Sequence, residues 1–198
     1  MIVDYATLQQ RIAAWLARAD LTAAIPDFIQ LAEANLSREL RSRKMQAQVT
    51  GTSVGGLIPM PADCVGIQSL RVLRCGYYYA LHPVTPDQQH AYPGPAYGYT
   101  VVDGNIQLLG SGDTDYVLTY RQRIPALSDT NQQNWLILSE PGAYLYGALC
   151  EASPYLGDDA RVATWGAQYQ RTVDGINAHY DLENYGNAPA QQVSGRAP

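Results

Sequence analysis

Helical patterning in this chain is confined to its two ends, and that separation constrains the fold more than any other feature. From Ile124 a proline-broken loop, Ile124-Pro125-Ala126-Leu127-Ser128-Asp129-Thr130, leads through Trp135-Leu136 into two helical patterns. The first carries Ala143-Tyr144-Leu145-Tyr146-Gly147-Ala148-Leu149. The second opens at Asp158-Asp159 and carries Val162, Trp165, Tyr169, Val173 and Ile176. Such a hairpin must bury its apolar stripes against another element. The only other long helical patterns lie at the opposite end of the chain. The two ends must therefore meet, and everything between them becomes an insert.

At the N-terminal end Asp4 is placed to cap a helix whose apolar face is Leu8, Ile12, Trp15 and Leu16. Pro26 suits a first helical position, with Asp27 beside the positive end of the dipole. Phe28, Leu31, Ala32, Leu36 and Leu40 form the next stripe. Arg38, Arg41, Arg43 and Lys44 then make a basic helix end, read as facing solvent or a partner.

The period changes to two after Lys44. Met45, Ala47 and Val49 alternate with polar residues before a glycine-rich turn at Gly51 to Gly56. Pro59 and Pro61 exclude Leu57-Ile58 from a sheet interior. Ile67 to Leu73 and Tyr77 to Leu81 read as strands around Gly76. Thr85-Pro86-Asp87-Gln88 reads as the capped start of a two-turn helix up to Tyr92. Asp103-Gly104-Asn105 marks a hairpin, and Tyr116 to Arg121 is a last strand. Ser139 is expected to cap the next helix, with Leu145, Ala148, Leu149 and Ala152 buried, and Asp158 to cap the last.

Two helices, about six short strands and two more helices describe an α+β fold. The expected organisation is a helical bundle formed by both chain ends (1–44 and 124–183), an inserted antiparallel β domain (45–123) and a flexible, extended C-terminal tail (184–198). The tail is polar, with Val193 its one aliphatic of appreciable size, and cannot pack a core.

Charged residues are 16% of the chain, against a usual fraction of about 25%. Fifteen tyrosines accompany a single phenylalanine. Tyrosine offers apolar area with a polar tip, so both figures suit a subunit with covered surfaces. The net charge of −5 arises entirely after Arg123, where eight acids face three arginines, 8 − 3 = 5. That balance opposes tight non-specific nucleic-acid binding. The three separated cysteines suit a reducing compartment. No leader or membrane-spanning segment is expected from the apolar runs.

No catalytic set is expected. Gly51-Thr52-Ser53-Val54-Gly55 matches a nucleophile-elbow pattern, but strand and proline follow where a helix is required. Asp113-Thr114-Asp115 lacks the later ligands of a calcium loop. His82, His90 and His179 stand on separate elements without metal-ligand spacing. No cofactor is expected. Tyr77-Tyr78-Tyr79 divides its rings between two faces of a strand, where sheet packing competes with base or sugar stacking.

Read whole, the chain resembles the head-to-tail adaptor proteins of short-tailed, podovirus-like bacteriophages, of the tail tubular protein A type. The resemblance is carried by Tyr5-Ala6-Thr7-Leu8 with Trp15-Leu16, Ile25-Pro26-Asp27-Phe28, Pro61-Ala62-Asp63, Tyr120 with Arg123 to Asp129, Asn134-Trp135-Leu136, Tyr144 to Leu149 and Asp158-Asp159-Ala160-Arg161. Cys64 departs from it, where an aromatic often follows the Pro-x-Asp. The resemblance implies a virion protein at the head–tail junction: a homo-oligomeric ring, usually of twelve copies, under the portal protein. Such a ring extends the DNA channel, lets DNA pass without specific binding, and meets the tail nozzle or tube. Tyr185, Val193 and Arg196 are then the expected portal anchors, and Asp158, Asp159, Asp174 and Asp181 the expected channel acids. Two other classes compete: a carbohydrate- or receptor-binding module built on the tyrosine-rich sheet, and a small hydrolase using Ser53.

Overall fold

The structure is a computed structural model that describes residues 1–85, 94–110, 112–157 and 160–185, the side chains of Asn184 and Tyr185 excepted. Two compact units result. One combines residues 1–44 with the described residues from Ile124 onward; the other is Met45–Arg123.

In the first unit, α1 (Tyr5–Leu16) starts from a reciprocal cap. The Thr7 N–H donates to Asp4 Oδ1 at 2.8 Å, and the Asp4 N–H donates to Thr7 Oγ1 at 3.1 Å. Leu8, Ile12 and Leu16, each four residues apart, are almost wholly buried. Trp15 flanks that stripe instead of belonging to it. Its ring is 39% exposed and stands edge-on to Tyr146 at 5.8 Å.

Helix α2 (Ile25–Glu39) buries Ile25, Phe28, Ile29, Ala32 and Leu36. Leu31, expected within the stripe, falls on the opposite side and is 51% exposed. The chain leaves α2 at Leu40, which is extended. Only Arg38 of the basic quartet therefore sits in the last helical turn. Arg41 lies beyond it, and Arg43 and Lys44 are in a 3-10 turn, Arg43–Met45.

Asn134 caps a short α3 (Trp135–Ser139), and α4 runs from Pro141 to Glu151. Ser139 therefore ends one helix instead of capping the next, and its hydroxyl donates back to the Trp135 carbonyl. Helix α5 spans Arg161–Tyr185 and buries Trp165 and Val173. The expected Asp158 cap, the helix expected after Thr85 and the tail from Gly186 lie outside the described residues.

The two chain ends are stitched together directly. The Tyr5 N–H donates to the Gln132 carbonyl at 2.8 Å, and Gln133 Nε2 to the Val3 carbonyl at 3.0 Å. Arg161 reaches the Trp15 carbonyl at 3.0 Å. Helix α4 is buried nearly all round, and Gly147 makes this possible. A Cβ there would meet Ala32 Cβ at 3.1 Å and the Tyr169 ring at 3.3 Å. The glycine lets α2, α4 and α5 approach at one point.

The second unit is a seven-stranded sheet in the order β1-β7-β3-β4-β5-β6-β2. The strands are β1 (Gln46–Thr52), β2 (Leu57–Pro59), β3 (Cys64–Arg74), β4 (Tyr77–Pro83), β5 (Gly98–Val102), β6 (Asn105–Leu109) and β7 (Asp115–Gln122). Its two outermost strands, β1 and β2, are consecutive in sequence and separated only by Ser53 to Gly56. The sheet must curl to bring them together. Ile58 of β2 accordingly shares one core with Leu70, Val72, Leu118 and Tyr120. Pro59 is tolerated because β2 is an edge. The Asp103-Gly104 turn has φ of 48° and 72°, as a two-residue hairpin requires.

The sheet is not wholly antiparallel. β4 and β5 run parallel through His82↔Gly98 and Pro83↔Tyr99. The connection from Val84 to Tyr97 is long enough to carry the chain back to the same end, which a tight hairpin cannot do.

These packing assignments predict that Leu36→Ala costs about 2–5 kcal/mol, whereas Leu31→Ala stays within about 0.5 kcal/mol of wild type. Gly147→Val should cost about 1–3 kcal/mol by overpacking. Urea unfolding of the three variants checks all of these, and a destabilised Leu31→Ala would contradict the assigned stripe.

Candidate assembly interface

The helical unit carries a buried polar node and, separately, an open groove. The node begins at Glu33, an acid inside the buried arc of α2 and only 7% exposed. Its Oε1 accepts the Leu127 N–H at 2.7 Å and the Tyr144 O–H at 3.2 Å. The Tyr144 oxygen accepts from Asn134 Nδ2 at 2.6 Å, and that amide also donates to the Pro125 carbonyl at 2.7 Å. Asn134 Oδ1 accepts the Leu136 and Ile137 N–H groups. The Ile124 N–H donates to Ser37 Oγ. The loop from Ile124 is thereby fastened to α2 on one side and to α3 and α4 on the other. A donor chain of this kind, out of water, is stronger than its exposed equivalent.

Burial pushes the Glu33 carboxyl up to about 7 from its ordinary 4.5, against the opposing pull of the Leu127 and Tyr144 hydrogen bonds. Burial, and then the nearby Glu33 charge, push the Tyr144 hydroxyl upward, so it stays a donor.

The groove encloses about 660 Å³ between the 3-10 turn after α2, α3 and α5. Arg43, Lys44, Trp135, Arg171, His179 and Glu183 give it its character. Arg43 donates to the Glu183 carbonyl at 2.9 Å, and its guanidinium lies 4.0 Å from the Glu183 carboxylate. His179 approaches the same carboxylate at 3.3 Å. Lys44 Nζ sits 5.5 Å from the centre of the Trp135 ring. Trp135 Nε1 is buried with no hydrogen-bond partner among the described residues. Nearby, Asn177 ties the end of α2 to α5: its Oδ1 accepts the Arg41 N–H at 2.6 Å, and its Nδ2 donates to the Glu39 carbonyl. Tyr169 donates to Glu39 at 2.9 Å, and burial holds that hydroxyl protonated.

The expected site residues are thus distributed. Arg43 and Lys44 line the groove, Arg41 meets α5 through its backbone, and Arg38 pairs with Asn35 on its own helix. Asp174 is exposed on α5 and accepts from Gln170, and Asp181 is half-buried on the same helix. Asp158, Asp159, Val193 and Arg196 lie outside the described residues, as does the Tyr185 side chain. Ser53 is buried in a strand–turn–strand, and its Oγ accepts the Thr114 N–H at 2.9 Å, which makes it a turn brace.

Sequence reasoning missed Glu33, Asn134, Tyr144 and Arg171 as structural or groove residues. The available signal was an acid within an apolar arc and an Asn directly before an apolar run. It also missed why Pro61-Ala62-Asp63 accompanies Tyr120. The Tyr120 hydroxyl donates to Asp63 at 3.1 Å, and the Arg123 N–H donates to the Asp63 carbonyl.

The fold and groove describe an α+β protein whose helical unit presents a concave surface lined by both charged and aromatic side chains. The family model of the SU10 adaptor protein matches residues 3–193, and the chain belongs to that family. This agrees with the resemblance to phage head-to-tail adaptors and makes the chain a structural component of a phage virion, acting with portal and tail parts. No curated protein matches it. Among the described residues no helix is long and apolar enough to cross a membrane.

The node sets a pH dependence. The Glu33 carboxyl is raised in the fold, so the stability it contributes is fully present below about 4.5 and is lost as pH rises through about 7. Urea midpoints of the wild type should therefore fall over that window more than those of Glu33→Gln. Equal slopes would show that Glu33 does not titrate in the fold. Glu33→Ala, which strands the Leu127 N–H and Tyr144 O–H, should cost about 2–4 kcal/mol at the acid end of the window, below about 4.5, and less as pH rises through about 7.

Proposed function

We propose that this chain is a head-to-tail adaptor that forms a homo-oligomeric ring of twelve copies under the portal, extends the DNA channel and joins the tail nozzle. The observation that carries the reading is the family match over residues 3–193, which spans both helical ends, the strand insert and most of the tail in one order. The 16% charged fraction and fifteen tyrosines suit a subunit covered by neighbours.

In this reading the helical unit, 1–44 with 124–183, builds the ring, and the β insert, 45–123, meets other parts. The tail, 184–198, docks on the portal through Tyr185, Val193 and Arg196. Ordering it costs entropy, so it holds only when many copies engage together. Asp158, Asp159, Asp174 and Asp181 face the channel, where their charge keeps DNA from sticking. The groove with Arg43 and Lys44, beside Arg38 and Arg41, is a partner-facing surface.

The exposure of Tyr77, Tyr78 and Tyr79, at 71, 51 and 48%, favours a second reading as a saccharide-binding module. The rings are divided between two faces of β4, so one face offers two at most.

Negative-stain imaging of the protein with purified portal decides between the two. A closed ring stacked on portal is expected; no association with portal, together with saccharide binding by the isolated chain, would overturn the adaptor reading. A chain ending at Glu183 should fold with an unchanged melting temperature yet fail to join portal-containing heads. Normal attachment by that truncation would remove the tail's docking role.

A further inference from the structure

The strand β4 is paired on one side only for most of its length. Toward β3 the ladder runs from Arg74↔Tyr77 to Leu70↔Leu81. Toward β5 it holds only His82 and Pro83, continued by the Val84 N–H to the Tyr99 carbonyl at 2.8 Å. The alternation of a strand's hydrogen-bonding groups then assigns the rest. The Val84 N–H faces β5, so the N–H and C=O groups of Tyr78 and Ala80 face that side as well. The two-residue turn Cys75-Gly76 requires the same phase, because Tyr77 must pair back to Arg74. Among the described residues nothing pairs with those groups of Tyr78 and Ala80.

Natural sheets protect an open edge with charge, proline or a covering element. This one carries Tyr77, Tyr78, Tyr79 and Ala80, all exposed. Tyrosine and arginine are the residues that anchor protein interfaces, and Arg74 stands beside the edge. Its guanidinium lies 5.7 Å from the Tyr79 ring centre, and its Nε and Nη2 are buried without a hydrogen-bond partner among the described residues. Buried donors of a charged group left unmatched are costly, and a carboxylate is their best match. Arg74, Tyr77 and Tyr79 share one face, since β3 and β4 pair directly there.

We propose that the open edge of β4 at Tyr78 and Ala80 is a strand-addition site for an extended segment of a different polypeptide that carries a carboxylate. The incoming strand pairs its backbone with Tyr78 and Ala80, lies between the tyrosine rings of the two faces, and places an Asp or Glu side chain against Arg74. A second copy of this chain fits less well. Its own open edges, Gln46–Thr52 and Leu57–Pro59, contain no acidic residue.

The proposal rests on the adaptor reading, in which the partner is another part of the virion. The test compares amide hydrogen exchange in the isolated wild-type protein and in purified virions. The Tyr78 and Ala80 amides should exchange freely in the isolated chain and slow by about a hundredfold or more in the particle. Ala80→Pro removes a donor from the open side alone and leaves the β3 ladder whole. It should keep wild-type β3 protection when isolated, yet lose the Tyr78 protection in particles. Arg74→Gln should weaken that protection about tenfold while leaving the ladder intact. Fast exchange at Tyr78 and Ala80 within virions that contain the chain overturns the proposal and leaves the adaptor reading standing. Protection already present in pure homo-oligomers also overturns it, by assigning the edge to a second copy. Absence of the chain from virions removes the adaptor reading and this proposal together.

Discussion

The hydrogen bond from the Leu127 backbone to the buried Glu33 carboxylate is the contact on which the helical unit turns. It joins residues nearly a hundred positions apart, and the loop it holds is the return path from the strand block to the second half of the helices. Tyr144 and Asn134 extend the same chain of donors into α4 and α3. Apolar burial alone would let α4 slide or rotate against α2, because both are buried over a wide arc. The directional contacts at Glu33, with the close approach permitted by Gly147, select one arrangement. Breaking the node leaves buried donors stranded, and that asymmetry makes it a specifying device as much as a source of stability.

The strand unit solves a different problem. A single sheet of seven strands has two ends to protect, and linking the outermost strands by Ser53 to Gly56 forces it to curl around its own core. The curl leaves one seam incomplete, where β4 and β5 meet for only two residues. An assembly protein needs surfaces that stay soluble when free and bind when covered. Tyrosine on an open seam and a groove with Arg43, Lys44 and Trp135 are two chemically distinct exposed surfaces, and both are proposed here to serve that need. A subunit acting with both portal and tail parts of a virion requires more than one such surface.

Much of this was legible in the residues. The period of apolar side chains located the helices, and Asp4 was readable as the cap of the first, although the return bond from Thr7 was not. The hairpin at Asp103-Gly104 was readable because only a few residues tolerate its left-handed backbone. Three kinds of information were not readable. Trp15 and Leu31 look like core by hydrophobicity, and only the rotation of the helix against its neighbours leaves them exposed. The parallel pairing of β4 and β5 depends on a connection whose path has no period. The node was hidden because a buried acid looks like a surface residue until its donors, Leu127 and Tyr144, arrive from distant parts of the chain. The groove suffered the same blindness. Its basic half was visible at Arg43 and Lys44, whereas Arg171 and His179 join it only through the packing of α5.

The central claim is that the two ends of the chain form one cooperative structure fastened at Glu33. Native-state hydrogen exchange on Tyr144→Phe, which deletes one hydroxyl from the node and little else, tests it most directly. The account predicts that the slowest amides of α2 and α4 lose protection together and by the same factor, since they open as one unit. Loss of protection in α4 with α2 unchanged would contradict it, and would mean that the terminal helices are neighbours without being one fold.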